Sequence, residues 1–353
     1  MKQTKDYSGY IIENAKRSYF KEFNAASLNR DFQWENDIAL KQKELAYKIK
    51  DKRDFISNCP VCKFNETQGF VSIYDYEYSE CLNCGHIFLK TPPNEEAYIE
   101  LYSGEETDTN SIQDEIYTID EIFNSRLNNI AFPKVNFVEE SLRLSEDVKG
   151  KWVDIGSGGG ELLYAVNKRG WKGIGVESDK KLSKYSQKLG LDIISEPLNH
   201  TNVSDIITSE TQVVSLINVL EHIREPQDFL KMIADNMTSR SYLLLEIPRH
   251  PSISSLSCQA FPEFTRRHIY VPDHLHIFTE KSVEILLGKQ GLTPLFIWCF
   301  GQDISELFTS VILKSNIKSS ELNSKIFSIS GNLQKIVDEN NLSDTMLILS
   351  IRE

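Results

Sequence analysis

With 353 residues, the chain has room for one large catalytic domain and a small accessory one. Its formal net charge of −12, without any concentrated basic run, sets it against a phosphate backbone, so nucleic acid is not the expected partner. No apolar run approaches the roughly 18 residues of a membrane span, and the opening Met-Lys-Gln-Thr-Lys-Asp starts no signal peptide, so the expected setting is the cytoplasm.

Residues 1–54 are rich in Lys, Glu, Asn, Asp and Gln, with Leu40, Leu45, Ala46 and Ile49 near helical spacing. They read as one or two surface helices, an N-terminal arm that is solvated and partly packed, caps the catalytic cleft, or supports a homodimer. Residues 55–92 carry Cys59-Pro60-Val61-Cys62, then eighteen residues, then Cys81-Leu82-Asn83-Cys84. In a cytosolic chain this spacing predicts metal rather than disulfide: each pair forms a knuckle that turns two thiolates onto one tetrahedral ion. Zinc is the expected ion, with iron in a rubredoxin-like site as the alternative. Four thiolates close the coordination shell, so the metal is expected to be structural, and His86 beside the last knuckle is expected to stand by. Between the pairs, Phe70–Tyr78 alternates as a hairpin strand does.

Residues 93–150 read as a helical linker or cap: a short helix through Glu95–Tyr98, an acidic loop over 105–117, and helical periodicity from Ile119 to about Leu144. Tyr98, Tyr102 and Tyr117 approach the site from this side or belong to the core.

The chain is organised around Val153-Asp154-Ile155-Gly156-Ser157-Gly158-Gly159-Gly160-Glu161. A buried strand ends here and an apolar helical pattern begins at Leu162, which puts the glycines in a strand-to-helix turn where bare backbone and N–H groups meet a ligand. A dinucleotide fingerprint of the G-x-G-x-x-G type requires glycine at 161, where this chain has Glu161, which argues against an NAD-linked oxidoreductase. The next strand ends in Glu177, about twenty residues beyond the first glycine, where a carboxylate accepts both ribose hydroxyls.

The acidic-x-Gly-x-Gly-x-Gly spacing resembles motif I of class I S-adenosylmethionine (SAM) methyltransferases. That resemblance implies an α/β fold, a seven-stranded Rossmann-like sheet over 151–353. It assigns Asp154, Gly156, Gly158, Gly160, Glu177 and the following Ser178 to SAM. The ribbon, the step Phe88-Leu89-Lys90-Thr91-Pro92-Pro93 and the short helix extend the likeness, over about residues 55–300, to bacterial methyltransferases of deoxysugars and surface polysaccharides.

Strands are expected at Trp152–Ile155, Gly173–Glu177, Leu191–Ser195, Val213–Ile217, Tyr242–Ile247, Pro294–Phe300 and Met346–Ser350, the last antiparallel. Glu196-Pro197-Leu198 lines the adenine loosely. The almost unbroken apolar run Val213–Ile217 suits a central parallel strand, and its carboxyl end delivers Asn218-Val219-Leu220-Glu221-His222 to the edge where open α/β sheets bind ligands. This stretch resembles the Leu-Glu-His-Ile-x-x-Pro motif of the same group. The likeness implies His222 as general base, Glu221 as its orienting partner or a substrate contact, and Asn218 beside the cofactor; the alternative is a pair that only walls the site. An imidazole titrating near neutrality suits removal of an acceptor's proton.

Residues 249–276 form a long excursion at the binding edge, expected to act as a lid or acceptor-binding element. Arg266, Arg267, His268, Tyr270 and His274 are its candidate substrate residues, the arginines gripping a sugar diphosphate. His274 and His276 lack an evident third metal ligand in the sequence. Thr279 is the expected N-cap of the next helix, and residues 302–343 form a mostly helical insertion before the last strand. The expected activity is SAM-dependent methylation of a sugar or sugar-nucleotide hydroxyl. Carbon is disfavoured because related deoxysugar C-methyltransferases usually carry a further α/β domain after this one. The alternatives are C- or N-methylation of another small molecule and a non-catalytic SAM-binding zinc-ribbon adaptor.

Overall fold

The computed structural model describes residues 15, 32–103, 119–143, 149–264, 267–316 and 320–353. Arg266, Tyr117, the 105–117 loop and most of the arm before residue 32 lie outside the described residues.

Helix α1 (Phe32–Lys48) turns Leu45, with Ile49 just past its end, onto Ala97 and Leu101. Leu40 is 53% exposed, because five residues before Leu45 is well off the same helical face. The ribbon is a hairpin of β1 (Thr67–Ile73) and β2 (Tyr76–Cys81) closed through Tyr74 and Asp75, both at positive φ (50° and 66°), as a right-twisted two-residue hairpin requires. Strand β3 (Ile87–Leu89) pairs antiparallel with β2, and α2 (Glu95–Ser103) follows.

Helices α3 (Asp120–Arg126) and α4 (Phe132–Leu142) are joined by one π-helical turn, Leu127–Ala131. Their buried Phe123, Leu127, Val135 and Phe137 share a cluster with Trp152, Trp171 and Trp298, which fixes the expected cap against the sheet.

The main sheet is built from β4 (Lys151–Ile155), β5 (Lys172–Val176), β6 (Ile193–Ile194), β7 (Thr211–Ile217), β8 (Tyr242–Pro248), β10 (Leu292–Phe300) and β11 (Thr345–Arg352). Its seven strands run in the order β10-β11-β8-β7-β4-β5-β6, with β11 antiparallel to both neighbours and the β8-to-β6 run parallel. Six of the seven expected strands appear within a few residues of their expected ends. The third is shorter than expected: only Ile193–Ile194 pair, because this edge strand has a partner ladder only at Gly175 and Val176.

The connecting helices are α5 (Glu161–Lys168), α6 (Lys180–Lys188), α7 (Val203–Ile206), α8 (Pro226–Asn236), α9 (Ile253–Ser257), α10 (Glu280–Gly288), α11 (Asp303–Lys314) and α12 (Ser320–Glu339). The last two supply the expected helical insertion. Chain order departs from β4 towards β5 and β6, then returns to β7 on the opposite side. The switch point, and with it the ligand crevice of such a sheet, therefore lies between the carboxyl ends of β4 and β7.

The ribbon is not a separate bead. Strand β9 (His276–Ile277), at the end of the long excursion, pairs with β3 and completes a four-stranded sheet β1-β2-β3-β9. Thr279 caps α10 as expected, in a capping box with Ser282, and its hydroxyl also donates to the Cys84 carbonyl at 2.6 Å. Lys281 and Lys289 donate to the carbonyls of Asn83 and Val61. Helix α10 thus carries both cysteine knuckles.

Candidate active site

Glycines 156, 158 and 160 all take left-handed φ (70°, 54° and 84°), which a side chain resists. Their reasons differ. A Cβ on Gly156 would come within 2.5 Å of Val219, and one on Gly160 within 2.5 Å of Leu191 and 2.8 Å of Ser186. Those two glycines let neighbouring elements close on the turn. A Cβ on Gly158 would meet no described residue within 4 Å, so of these three it is the glycine that presents bare backbone to open space.

Glu177 follows β5 and is buried. Its carboxylate accepts the Gly158 N–H at 2.7 Å and the Asp179 N–H at 2.8 Å, and burial raises its pKa. Ser178 is exposed beside it, while Asp179 caps α6 through the N–H groups of Lys181 and Leu182. Asp154, also buried, accepts the Ser215 hydroxyl at 2.5 Å, and Ser215 in turn accepts the Trp152 indole N–H at 2.8 Å. Burial pushes the Asp154 pKa up to about 7, a shift that the Ser215 bond and Lys134 partly oppose. Glu161, which takes the place of a third fingerprint glycine, is ion-paired with Arg126 at 2.5 Å and so ties α5 to α3.

The carboxyl end of β7 enters a tight turn, Leu220–His222. Asn218 sits at φ 52° and donates to Glu246 at 3.0 Å; Glu246 pairs with Lys134 at 2.7 Å, both buried. Sequence reading missed Lys134, whose signal was a lone lysine in the apolar run Ile130–Val135. It also missed Ser215, a single hydroxyl inside an otherwise apolar strand, as a partner for Asp154.

Glu221 is fully buried and, among the described residues, has no partner for either carboxylate oxygen; burial pushes its pKa up to about 8. His222 is half-buried, its Nδ1 lies 3.1 Å from the Asp273 carbonyl, and burial holds its pKa down at about 4. Tyr98 donates to the His222 carbonyl at 3.2 Å, so one of the tyrosines expected on this side reaches the turn.

The excursion closes against the same turn: the Leu275 N–H donates to the Glu221 carbonyl at 2.7 Å, and the His274 ring stands edge-on to His222 at 4.6 Å. Tyr270 packs on His274 at 5.9 Å. Arg267 pairs with buried Asp344 at 2.9 Å, and His268 Nε2 lies 3.1 Å from the Thr345 hydroxyl and 3.4 Å from Asp344. His222, Tyr270 and His274 are therefore brought together, while Arg267 and His268 are drawn towards the end of β11.

Away from this edge, the four cysteines of the ribbon meet. Cys59 and Cys84 sulfurs are 3.7 Å apart, Cys62 and Cys81 3.5 Å, and all four lie within 4.8 Å of one another. A tetrahedral ion with metal–sulfur bonds of about 2.3 Å needs sulfurs about 3.8 Å apart, so the donor set fits one ion. His86 is not among this set; its Nε2 lies 3.1 Å from His276 Nδ1, inside the seam between ribbon and main sheet.

Residues 126–295 match a family described as a methyltransferase domain. The matched span runs from Arg126 through the glycine turn and the Glu221-His222 turn to the start of β10. Similar solved structures include a SAM-dependent methyltransferase from Archaeoglobus fulgidus, 18% identical, with 62% of this chain and 99% of that one covered at a TM-score of 0.38. A SAM-dependent methyltransferase from Thermotoga maritima is 12% identical over 72% of this chain and 98% of its own, with a TM-score of 0.43. A plantazolicin methyltransferase solved with S-adenosylhomocysteine (SAH) is 13% identical over 72% and 93%, with a TM-score of 0.44. No curated protein sequence matches the chain. Among the described residues, no helix is long and apolar enough to cross a membrane.

Proposed function

We propose that the chain is a SAM-dependent methyltransferase and that the methyl group goes to a hydroxyl of a sugar or sugar nucleotide. The observation that carries the cofactor half is the pairing of Gly158 with Glu177: a backbone opening beside a carboxylate with two of its roughly four lone-pair sites already taken by N–H groups. The remaining two suit the two hydroxyls of one ribose. Bound SAM supplies a methyl already activated on a sulfonium. The chain's own residues then have to align the acceptor and remove its proton.

His222 is our candidate base. Its Nδ1–H donates to the Asp273 carbonyl, which leaves the lone pair on Nε2, and its depressed pKa keeps the ring neutral and proton-accepting at pH 7. Glu221 shapes the turn behind it. The excursion, with Tyr270 and His274, forms the acceptor side, and its cationic and imidazole character favours an anionic acceptor. Arg266 remains the candidate for phosphate; Arg267 and His268, tied to Asp344, would shape that surface. The four cysteines hold a structural Zn2+ that supports the acceptor side through β9.

Incubation with methyl-labelled SAM and a nucleotide-sugar panel tests this reading. Label on a sugar hydroxyl is the expected result, and label confined to protein or nucleic acid overturns it.

A further inference from the structure

The Glu221-His222 turn and the excursion meet in an arrangement that acid–base chemistry alone does not use. One ligating atom each from Glu221, His222 and His274 lies within 4.8 Å of the others. Atoms that share an ion with bonds of about 2.0–2.2 Å must come within about 4 Å, a small closure from there. Each imidazole is oriented from behind: His222 Nδ1 lies 3.1 Å from the Asp273 carbonyl and His274 Nδ1 3.0 Å from the His268 carbonyl. Ring N–H to carbonyl bonds of this kind fix the Nε2 lone-pair tautomer, as behind metal-bound histidines. Glu221 brings a carboxylate that is 0% exposed and, among the described residues, has no hydrogen-bond partner on either oxygen. A buried carboxylate in that condition is costly unless a cation or a proton meets it.

We propose that Glu221, His222 and His274 form a second metal site, a two-histidine, one-carboxylate set for a divalent first-row transition ion such as Mn2+, Fe2+, Co2+ or Zn2+. The N/O donor set separates it from the all-sulfur ribbon site, and three protein ligands leave coordination positions open. In its chemical consequence the inference rests on the methyl-transfer reading above and refines one part of it, since His222 then acts on the acceptor through the ion. An acceptor hydroxyl bound at an open position loses its proton to water more readily. Its oxygen then forms the O–CH3 bond as the S–CH3 bond breaks, the bonding pair staying on sulfur and leaving neutral SAH.

The site is tested by equilibrium dialysis of Co2+ against the full chain with its cysteines already filled by Zn2+, in the absence of SAM. One further ion per chain is expected, with visible d–d absorption and no thiolate charge-transfer band, and with binding at least tenfold weaker in Glu221→Gln and His274→Gln. No cobalt beyond the zinc, cobalt showing sulfur charge transfer, or a folded Glu221→Gln that binds it as tightly as wild type would each overturn the proposal. The wild-type titration decides even if a variant fails to fold. SAH calorimetry on the same sample keeps the two readings apart: SAH binding without cobalt binding removes only the metal site, and cobalt binding without SAH binding removes only the methyl-transfer reading.

Discussion

The three glycines of the turn do different work, and substitution should separate them. Gly156→Val drives a side chain into Val219 and lowers the melting temperature steeply, because overpacking a closed contact costs about 1–3 kcal/mol on top of the strained φ. Gly158→Ala adds a Cβ that meets no described residue within 4 Å, so it should cost mainly the φ penalty while weakening SAH binding tenfold or more. Melting curves and calorimetry on the two variants check this; equal loss of binding at equal stability would contradict the distinction. Asp154 carries a second prediction. Its folded pKa, about 7, lies above the ordinary 3.8, so between those values the native state holds a proton that the unfolded chain has released. By linkage, stability is lost as pH rises from about 4 to 7, by up to a few kcal/mol. Asp154→Asn, measured without SAM, should flatten that part of the stability–pH curve; an unchanged slope would show that Asp154 is ionised in the fold.

At the scale of elements, the four-cysteine cluster and the Glu221-His222 turn are joined through one short strand. Strand β9 pairs with β3 on one side, and on the other the Leu275 N–H holds the Glu221 carbonyl while His276 Nε2 lies 2.9 Å from the Ile223 carbonyl. Stripping the metal, or Cys59→Ser with Cys84→Ser, should therefore loosen more than the ribbon. Amide exchange should speed up at Leu89, Leu275 and Phe278, while amides between β4 and β5 stay protected. Fast exchange confined to β1 and β2 would show that the ribbon and the acceptor side are uncoupled.

This coupling was not legible in the sequence. Period-2 and 3.6-residue patterns are local, and the long central strands, the glycine turn and the cysteine spacing all carry local signals. The pairing of Phe88 with His276, 188 positions apart, has none, and neither does the meeting of His274 with His222. In the proposed metal site His274 is joined across the fold by Glu221 and His222, not by His276. Arg267 reads as a free cation in sequence because Asp344, which takes it, sits 77 residues later.

For the whole molecule, the sheet order places the glycine turn and the Glu221-His222 turn on either side of one switch point, with Val219 touching the position of Gly156. The ribbon and the excursion pack against the Glu221-His222 turn, and helices α3 and α4 pack on Trp152, Trp171 and Trp298. The arrangement delivers the Glu177 carboxylate and the His222 imidazole to one edge of the sheet. The central claim is that this edge seats SAM, and calorimetric titration of the zinc-loaded chain with SAH tests it most directly. One SAH per chain should bind, with affinity reduced about ten- to hundredfold in Glu177→Ala through loss of charge-assisted bonds to the ribose. A folded wild-type chain that takes up no SAH, or a Glu177→Ala variant that binds it equally well, would contradict the account.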